Sequence, residues 1–176
     1  MEWVVGEKIA FRPITDADTS DVVKWRNNER VREHFIYREI FTEQGHTRWL
    51  REKVDTGEVA QFIICTVQDK KPIGSVYFQF RKELPGEAEY GIFIGDDAAV
   101  GQGYGNETAR LALRYAFDTY KLDKITLRVF TDNEIAKKSY ENAGFQVVRV
   151  LKDVECTDGE KKDMYHMEVD KSAYVK

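Results

Sequence analysis

Residues 100–107 read Val-Gly-Gln-Gly-Tyr-Gly-Asn-Glu, three glycines at alternate positions with an amphipathic run directly behind them. Glycine at this spacing lets a backbone turn sharply and come close to a ligand. A helix that starts there aims its unpaired N–H groups and the positive end of its dipole into the turn, an arrangement suited to a pyrophosphate. The same pattern also serves as a plain capping turn. No Lys-Ser/Thr pair follows the glycines to reach a terminal phosphate and magnesium, so a nucleoside-triphosphate enzyme does not fit.

Two residues near this turn in the chain have acid–base capacity. Glu89 stands mid-strand, on the opposite facing from Tyr90, Ile92 and Ile94, where a bare carboxylate is costly unless exposed or functional. Tyr140 lies on a later helix, at helical spacing from Ala136 and Ala143. A solvated strand carboxylate and an ordinary core tyrosine are the bland alternatives. His34, His46 and His166 are scattered, so neither a metal site nor a Ser/His/Asp or Cys/His arrangement is expected. Cys65, inside the apolar run Phe62-Ile63-Ile64, is expected to be a buried thiol, and Cys156 a residue of a surface loop.

The elements that must position these groups alternate along the chain. Strands are expected over 8–14, 61–68, 73–81, 87–94, 124–130, 145–151 and 162–169. The second and third read as an antiparallel hairpin joined through Asp69-Lys70-Lys71-Pro72. Thr15 with Asp18 forms a capping-box pattern for a helix to Arg26, residues 29–35 suggest a short helix, and Thr42 an N-cap for a helix to Thr56. Residues 103–120 carry the best amphipathic pattern in the chain, with Ala109, Leu113, Ala116, Phe117 and Tyr120 on one stripe. Asn133 to Ala143 is a helix that Gly144 can terminate. The expectation is one α/β (α+β) domain over residues 1–176, with a mixed, mostly antiparallel sheet flanked by helices.

Composition narrows the function classes. The 176 residues suffice for one domain with a sizeable core. A net charge of −4 argues against nucleic-acid binding by bulk electrostatics. Mean hydropathy is −0.55, no run has the length of a bilayer span, and no targeting segment is visible, so a cytoplasmic protein without membrane contact is expected.

From Glu87 onward the chain resembles the GNAT family of acetyl-CoA-dependent N-acyltransferases. The resemblance rests on Glu89-Tyr90-Gly91-Ile92 in a strand, Gly101-Gln102-Gly103-Tyr104-Gly105 before a helix, and Asn133 through Ser139-Tyr140 to Gly144-Phe145. Phe11-Arg12-Pro13, Trp25-Arg26-Asn27 and His46-Thr47-Arg48-Trp49-Leu50 are similar to the ribosomal-protein N-terminal acetyltransferase branch, and comparable segments occur in amino-sugar nucleotide N-acetyltransferases. One departure is Val100, where the family usually has Gln or Arg.

The resemblance implies acetyl-CoA as co-substrate, with no metal. Gly101, Gln102, Gly103, Tyr104 and Gly105 would hold the pyrophosphate, while Ile92, Phe93, Ile94 and Asn133 would meet the pantetheine arm. Transfer to an amine needs a neutral nucleophile, a stabilised carbonyl oxygen and a protonated leaving thiolate. Glu89 is the implied base, directly or through water, and Tyr140 the implied acid. Trp25, Arg26, His34, Phe35 and Tyr37 are candidates for the acceptor side. The acceptor is a protein N-terminus or a small amine such as an amino sugar or polyamine, bound by a monomer or homodimer. A non-catalytic acetyl-CoA-binding sensor or interaction module is the competing reading.

Overall fold

In the computed structural model, which describes residues 2–174, the apolar alternation resolves into one eight-stranded sheet with helices packed on it. The chain begins with β1 (Val4–Val5) and β2 (Ile9–Pro13), then passes through α1 (Thr19–Asn27), α2 (Glu29–Arg32) and α3 (Glu43–Trp49). β3 (Val59–Thr66), β4 (Pro72–Phe80) and β5 (Glu87–Ile94) form an antiparallel meander. α4 (Tyr104–Tyr120), β6 (Lys124–Phe130) and α5 (Glu134–Ala143) follow, and the hairpin of β7 (Gln146–Glu155) and β8 (Lys161–Asp170) runs into α6 (Lys171–Tyr174). The sheet order is β1-β2-β3-β4-β5-β6-β8-β7, and every neighbouring pair is antiparallel except β5–β6. The sheet is therefore mixed and mostly antiparallel, as expected.

Alternation along the strands divides the interior into two layers. Phe62 and Ile64 of β3 join Phe11, Phe78, Leu113, Phe117 and Ile125 beneath α4. Ile63 and Cys65, on the other facing, join Val22, Trp25, Leu50 and Phe93 beneath α1 and α3. Burial of each such large side chain contributes roughly 1.5–3 kcal/mol, which is why a two-residue period suffices to fix which layer a residue enters.

The helix entries follow their capping residues. Burial alone would push the Asp18 carboxyl up, but two hydrogen bonds from Arg12, at 2.9 and 2.8 Å, and one from the Thr15 N–H, at 2.8 Å, hold it below its ordinary value. Thr42 accepts from the Gly45 N–H at the start of α3, which ends earlier than expected and continues as a π-type turn over Leu50–Val54. Asn133 accepts from the Ala136 N–H at the start of α5, and Gly144, at φ 116°, closes it.

Two features differ from expectation. Cys156 is buried, not a surface loop residue: it packs with Phe130 and Met164, because the β7–β8 turn folds back onto residue 36 through the Thr157 N–H, which donates to the Ile36 carbonyl at 2.9 Å. β1 has only two residues and carries no readable period. It is tied down by the following turn, where the Glu107 carboxylate on α4 accepts from the N–H groups of Glu7 and Lys8 at 2.6 and 2.7 Å.

The feature that positions the site is a short ladder. β5 pairs with β6 only from Glu87 to Glu89, opposite Lys124 to Thr126. From Tyr90 onward the two parallel strands have separated, while β5 keeps its pairing to β4 through Ile94. Hence one backbone edge of β5 is left without a strand partner inside the sheet.

Candidate active site

A cleft of about 630 Å³ opens where β5 leaves β6. Its walls bring together groups that lie far apart in the chain: Ile92, Phe93 and Ile94 on β5, Gly101 to Gly105 before and in α4, and Asn133 and Tyr140 at α5. α4 starts from Gly103 with no side-chain cap, so the first-turn N–H groups have neither an intrahelical nor a side-chain acceptor. Gly103 has φ 79°, a left-handed value that glycine adopts without strain, and a Cβ built on it meets no protein atom within 4 Å. A cradle open on the ligand side, at the positive end of a 17-residue helix, fits a diphosphate. Of the five expected cradle residues, Gln102 is exposed and stands off the cleft lining, while the other four face it.

Tyr140 lines the cleft with its ring edge-on to Tyr90, at 6.2 Å between centroids, and to Phe145 at 6.0 Å. Burial pushes its phenol up from the ordinary value, so it remains protonated through the neutral range and can only donate or accept a hydrogen bond there. Glu89 also faces the cleft, at the last rung of the β5–β6 ladder. The carboxylate is not bare. Arg81 donates to one oxygen at 2.9 Å and Arg128 to the other at 3.1 Å, which is how a half-buried charge is kept on this strand.

A second cavity, of about 600 Å³, lies under α1 and α3. It shares Phe35, Tyr37, Tyr77, Gln79 and Phe93 with the first, so the two meet at a common aromatic wall. His34 lines only the first cavity and Arg26 only the second. Trp25 lines neither. It is 6% exposed and belongs to the core, packed on Gly95 and edge-on to Phe93, so the expectation that it walls the acceptor site is corrected.

Tyr77, Gln79 and Arg30 were not singled out in the sequence. Tyr77 stands directly across the β4–β5 ladder from Gly91, and a Cβ at Gly91 would overlap its ring. An aromatic residue opposite a strand glycine is the signal that could have found it. Arg30 bonds the Ile94 carbonyl at 3.0 Å and Asp97 at 2.8 Å, tying α2 to the end of β5 and to the turn before the cradle.

Residues 8–146 match the acetyltransferase (GNAT) domain. A probable N-acetyltransferase of Bacillus subtilis, YjcK, is 30% identical over 148 residues, covering 80% of this chain and 81% of that protein. The chain belongs to the GNAT family. A second relative, the acetyltransferase PseH of Campylobacter jejuni, is 28% identical over 144 residues, covering 81% of this chain and 86% of its own. Among solved structures, the spermidine N-acetyltransferase of Vibrio cholerae in complex with CoA and spermine superposes with a TM-score of 0.88 at 22% identity, covering 97% of this chain and all of that one. A GNAT enzyme uses acetyl-CoA as co-substrate in N-acetyl transfer, and the uncapped helix and open cradle found here suit that molecule's diphosphate. Among the described residues no group of three or more His, Cys, Asp or Glu is placed to hold a metal ion. No described helix is long and apolar enough to cross a membrane.

Proposed function

We propose that the cleft between β5 and β6 holds acetyl-CoA, that the second cavity admits a small amine, and that acetyl passes directly between them in a ternary complex. The shared wall of Phe35, Tyr37, Tyr77, Gln79 and Phe93 carries this reading, since it makes two sites contiguous with no cysteine, serine or lysine between them. Acetyl-CoA would supply an activated acetyl group as a thioester. Gly101, Gly103, Tyr104 and Gly105 would hold its diphosphate through backbone N–H groups, and the free edge of β5 at Ile92 to Ile94 would pair with pantetheine amides as an added strand would. Asn133 faces the same cleft beside its capping role.

In this reading Tyr140 donates its phenolic proton toward the leaving sulfur. Glu89 takes the proton of the attacking amine through water. Its two arginine partners occupy part of a carboxylate's acceptor capacity, which is about four lone-pair sites. The acceptor cavity lies within the ordinary range of small-molecule sites, roughly 300–1,000 Å³. This favours a metabolite amine over the protein N-terminus that a ribosomal-protein branch would imply. The Vibrio cholerae relative, a spermidine N-acetyltransferase, acts on a small amine.

A coenzyme-release assay against N-terminal peptides, amino acids, amino sugars, nucleotide-linked amino sugars and polyamines tests the proposal. Turnover with at least one small amine, well above that with any peptide, is expected. Coenzyme binding with no turnover on any acceptor would leave a non-catalytic binding module instead.

A further inference from the structure

The second cavity contains two buried polar atoms with nothing to bond. Arg26 Nε and His46 Nε2 both lack a hydrogen-bond partner, and both residues line this cavity. Among the described residues Arg26 has no carboxylate in ion-pair range, unlike Arg12, Arg30, Arg38, Arg51, Arg81 and Arg128. Its guanidinium is instead stacked against rings, 3.8 Å from the centroid of Phe35 and 4.3 Å from that of Phe41, with Phe93 at 5.6 Å. Ring faces stabilise the plane of a guanidinium but leave its N–H edge unsatisfied. Burial lowers Arg26 only to about 10, so it stays cationic at neutral pH, and burial likewise lowers His46, which is neutral there. Glu39 is the one carboxylate on the lining. It is exposed, and one of its oxygens already accepts from the Thr157 hydroxyl at 2.8 Å.

Resting on the acetyltransferase reading above, we propose that the acceptor is an amine carrying an anionic oxygen group, a carboxylate or a phosphate, which docks on the N–H edge of Arg26 beside His46. A desolvated cation without a counter-ion is unfavourable, and a bidentate oxyanion supplies both the charge and the acceptors that the site lacks. The same argument runs against a polyamine. A second and third positive charge entering this cavity would meet Arg26 with no buried carboxylate to offset it.

The test is a set of matched acceptors assayed by coenzyme release at pH 9: an L-amino acid against its amide, glucosamine 6-phosphate against glucosamine, and spermidine as the cationic control. In at least one pair the anionic member should exceed its neutral partner and spermidine by tenfold or more in kcat/KM, and the favoured pair identifies carboxylate or phosphate. Arg26→Gln should collapse that ratio to within threefold, chiefly through KM of the anionic member. Arg26→Lys, which keeps the charge and loses the fork, should retain part of it and covers the case in which the glutamine variant does not fold. Preference for a neutral amine or for spermidine, or an unchanged ratio in a folded Arg26→Gln protein, would overturn the inference while leaving the acetyltransferase reading intact. Absence of turnover with every amine would overturn both.

Discussion

Tyr140 and Glu89 both line the first cleft, and each proposed role can be separated from packing by a near-isosteric substitution. Tyr140→Phe keeps the ring against Tyr90 and Phe145 and deletes only the hydroxyl. If the phenol protonates the thiolate, kcat should fall by roughly 10² with the acetyl-CoA dissociation constant little changed. Steady-state kinetics beside a coenzyme-binding isotherm reads both quantities, and wild-type turnover would return the residue to the core. Glu89→Gln removes a charge that Arg81 and Arg128 both hold, and because those arginines are exposed the loss of stability should be no more than about 1 kcal/mol per pair. The rate should drop most at neutral pH and recover partly as pH rises, because the fraction of neutral amine then grows without help from a base. The recovery should be larger for an amine of lower pKa. A pH–rate profile that overlays wild type would exclude Glu89 from proton transfer. The presence of a carboxylate at this point was legible in the sequence. Its two arginine partners were not, because Arg81 lies past the end of β4 and reaches Glu89 across the β4–β5 ladder, and Arg128 lies on a strand 39 residues away that only the parallel pairing of β5 with β6 brings alongside.

At the level of elements, the strands and the two glycine-linked helices were legible, because burial on two distinct layers imposes a two-residue period that few alternatives satisfy. The ends of β7 and α3 were not: α3 passes locally into a π-type turn over Leu50–Val54, and β7 runs on into a turn bonded far along the chain. The β7–β8 turn is held by residue 36, and this is why Cys156, read as a surface residue, is buried. The ladder that stops at Glu89 was also illegible, because no local signal says where two parallel strands part. Yet the site depends on it, together with the uncapped start of α4. Gly103→Val tests that dependence. Its side chain would enter space that no protein atom occupies, but the left-handed φ of 79° is strained for a β-branched residue, at a cost of roughly 1–3 kcal/mol. A folded variant should bind acetyl-CoA at least tenfold more weakly, equivalent to about 1.4 kcal/mol. Isothermal titration would check this, and unchanged affinity would remove the cradle from coenzyme binding.

The whole molecule is a sheet parted at its middle, with a helix N-terminus on one side of the gap and an aromatic wall on the other. α1 and α3 supply Val22, Arg26, His46 and Trp49 to the second cavity, so on the proposal above these helices select the acceptor. The glycine turn that lines the first cavity is visible as spacing along the chain, whereas Tyr77 and Gln79, shared by both cavities, emerged only from strand register. On the proposal above, two contiguous cavities with no cysteine, serine or lysine in the wall they share predict direct attack by the amine. Initial rates measured over a grid of acetyl-CoA and acceptor concentrations test this most directly. Lines that intersect in double-reciprocal plots, with no acetylated protein seen by mass spectrometry in the absence of acceptor, are the predicted result. Parallel lines accompanied by a stoichiometric acetyl-enzyme would contradict the ternary complex.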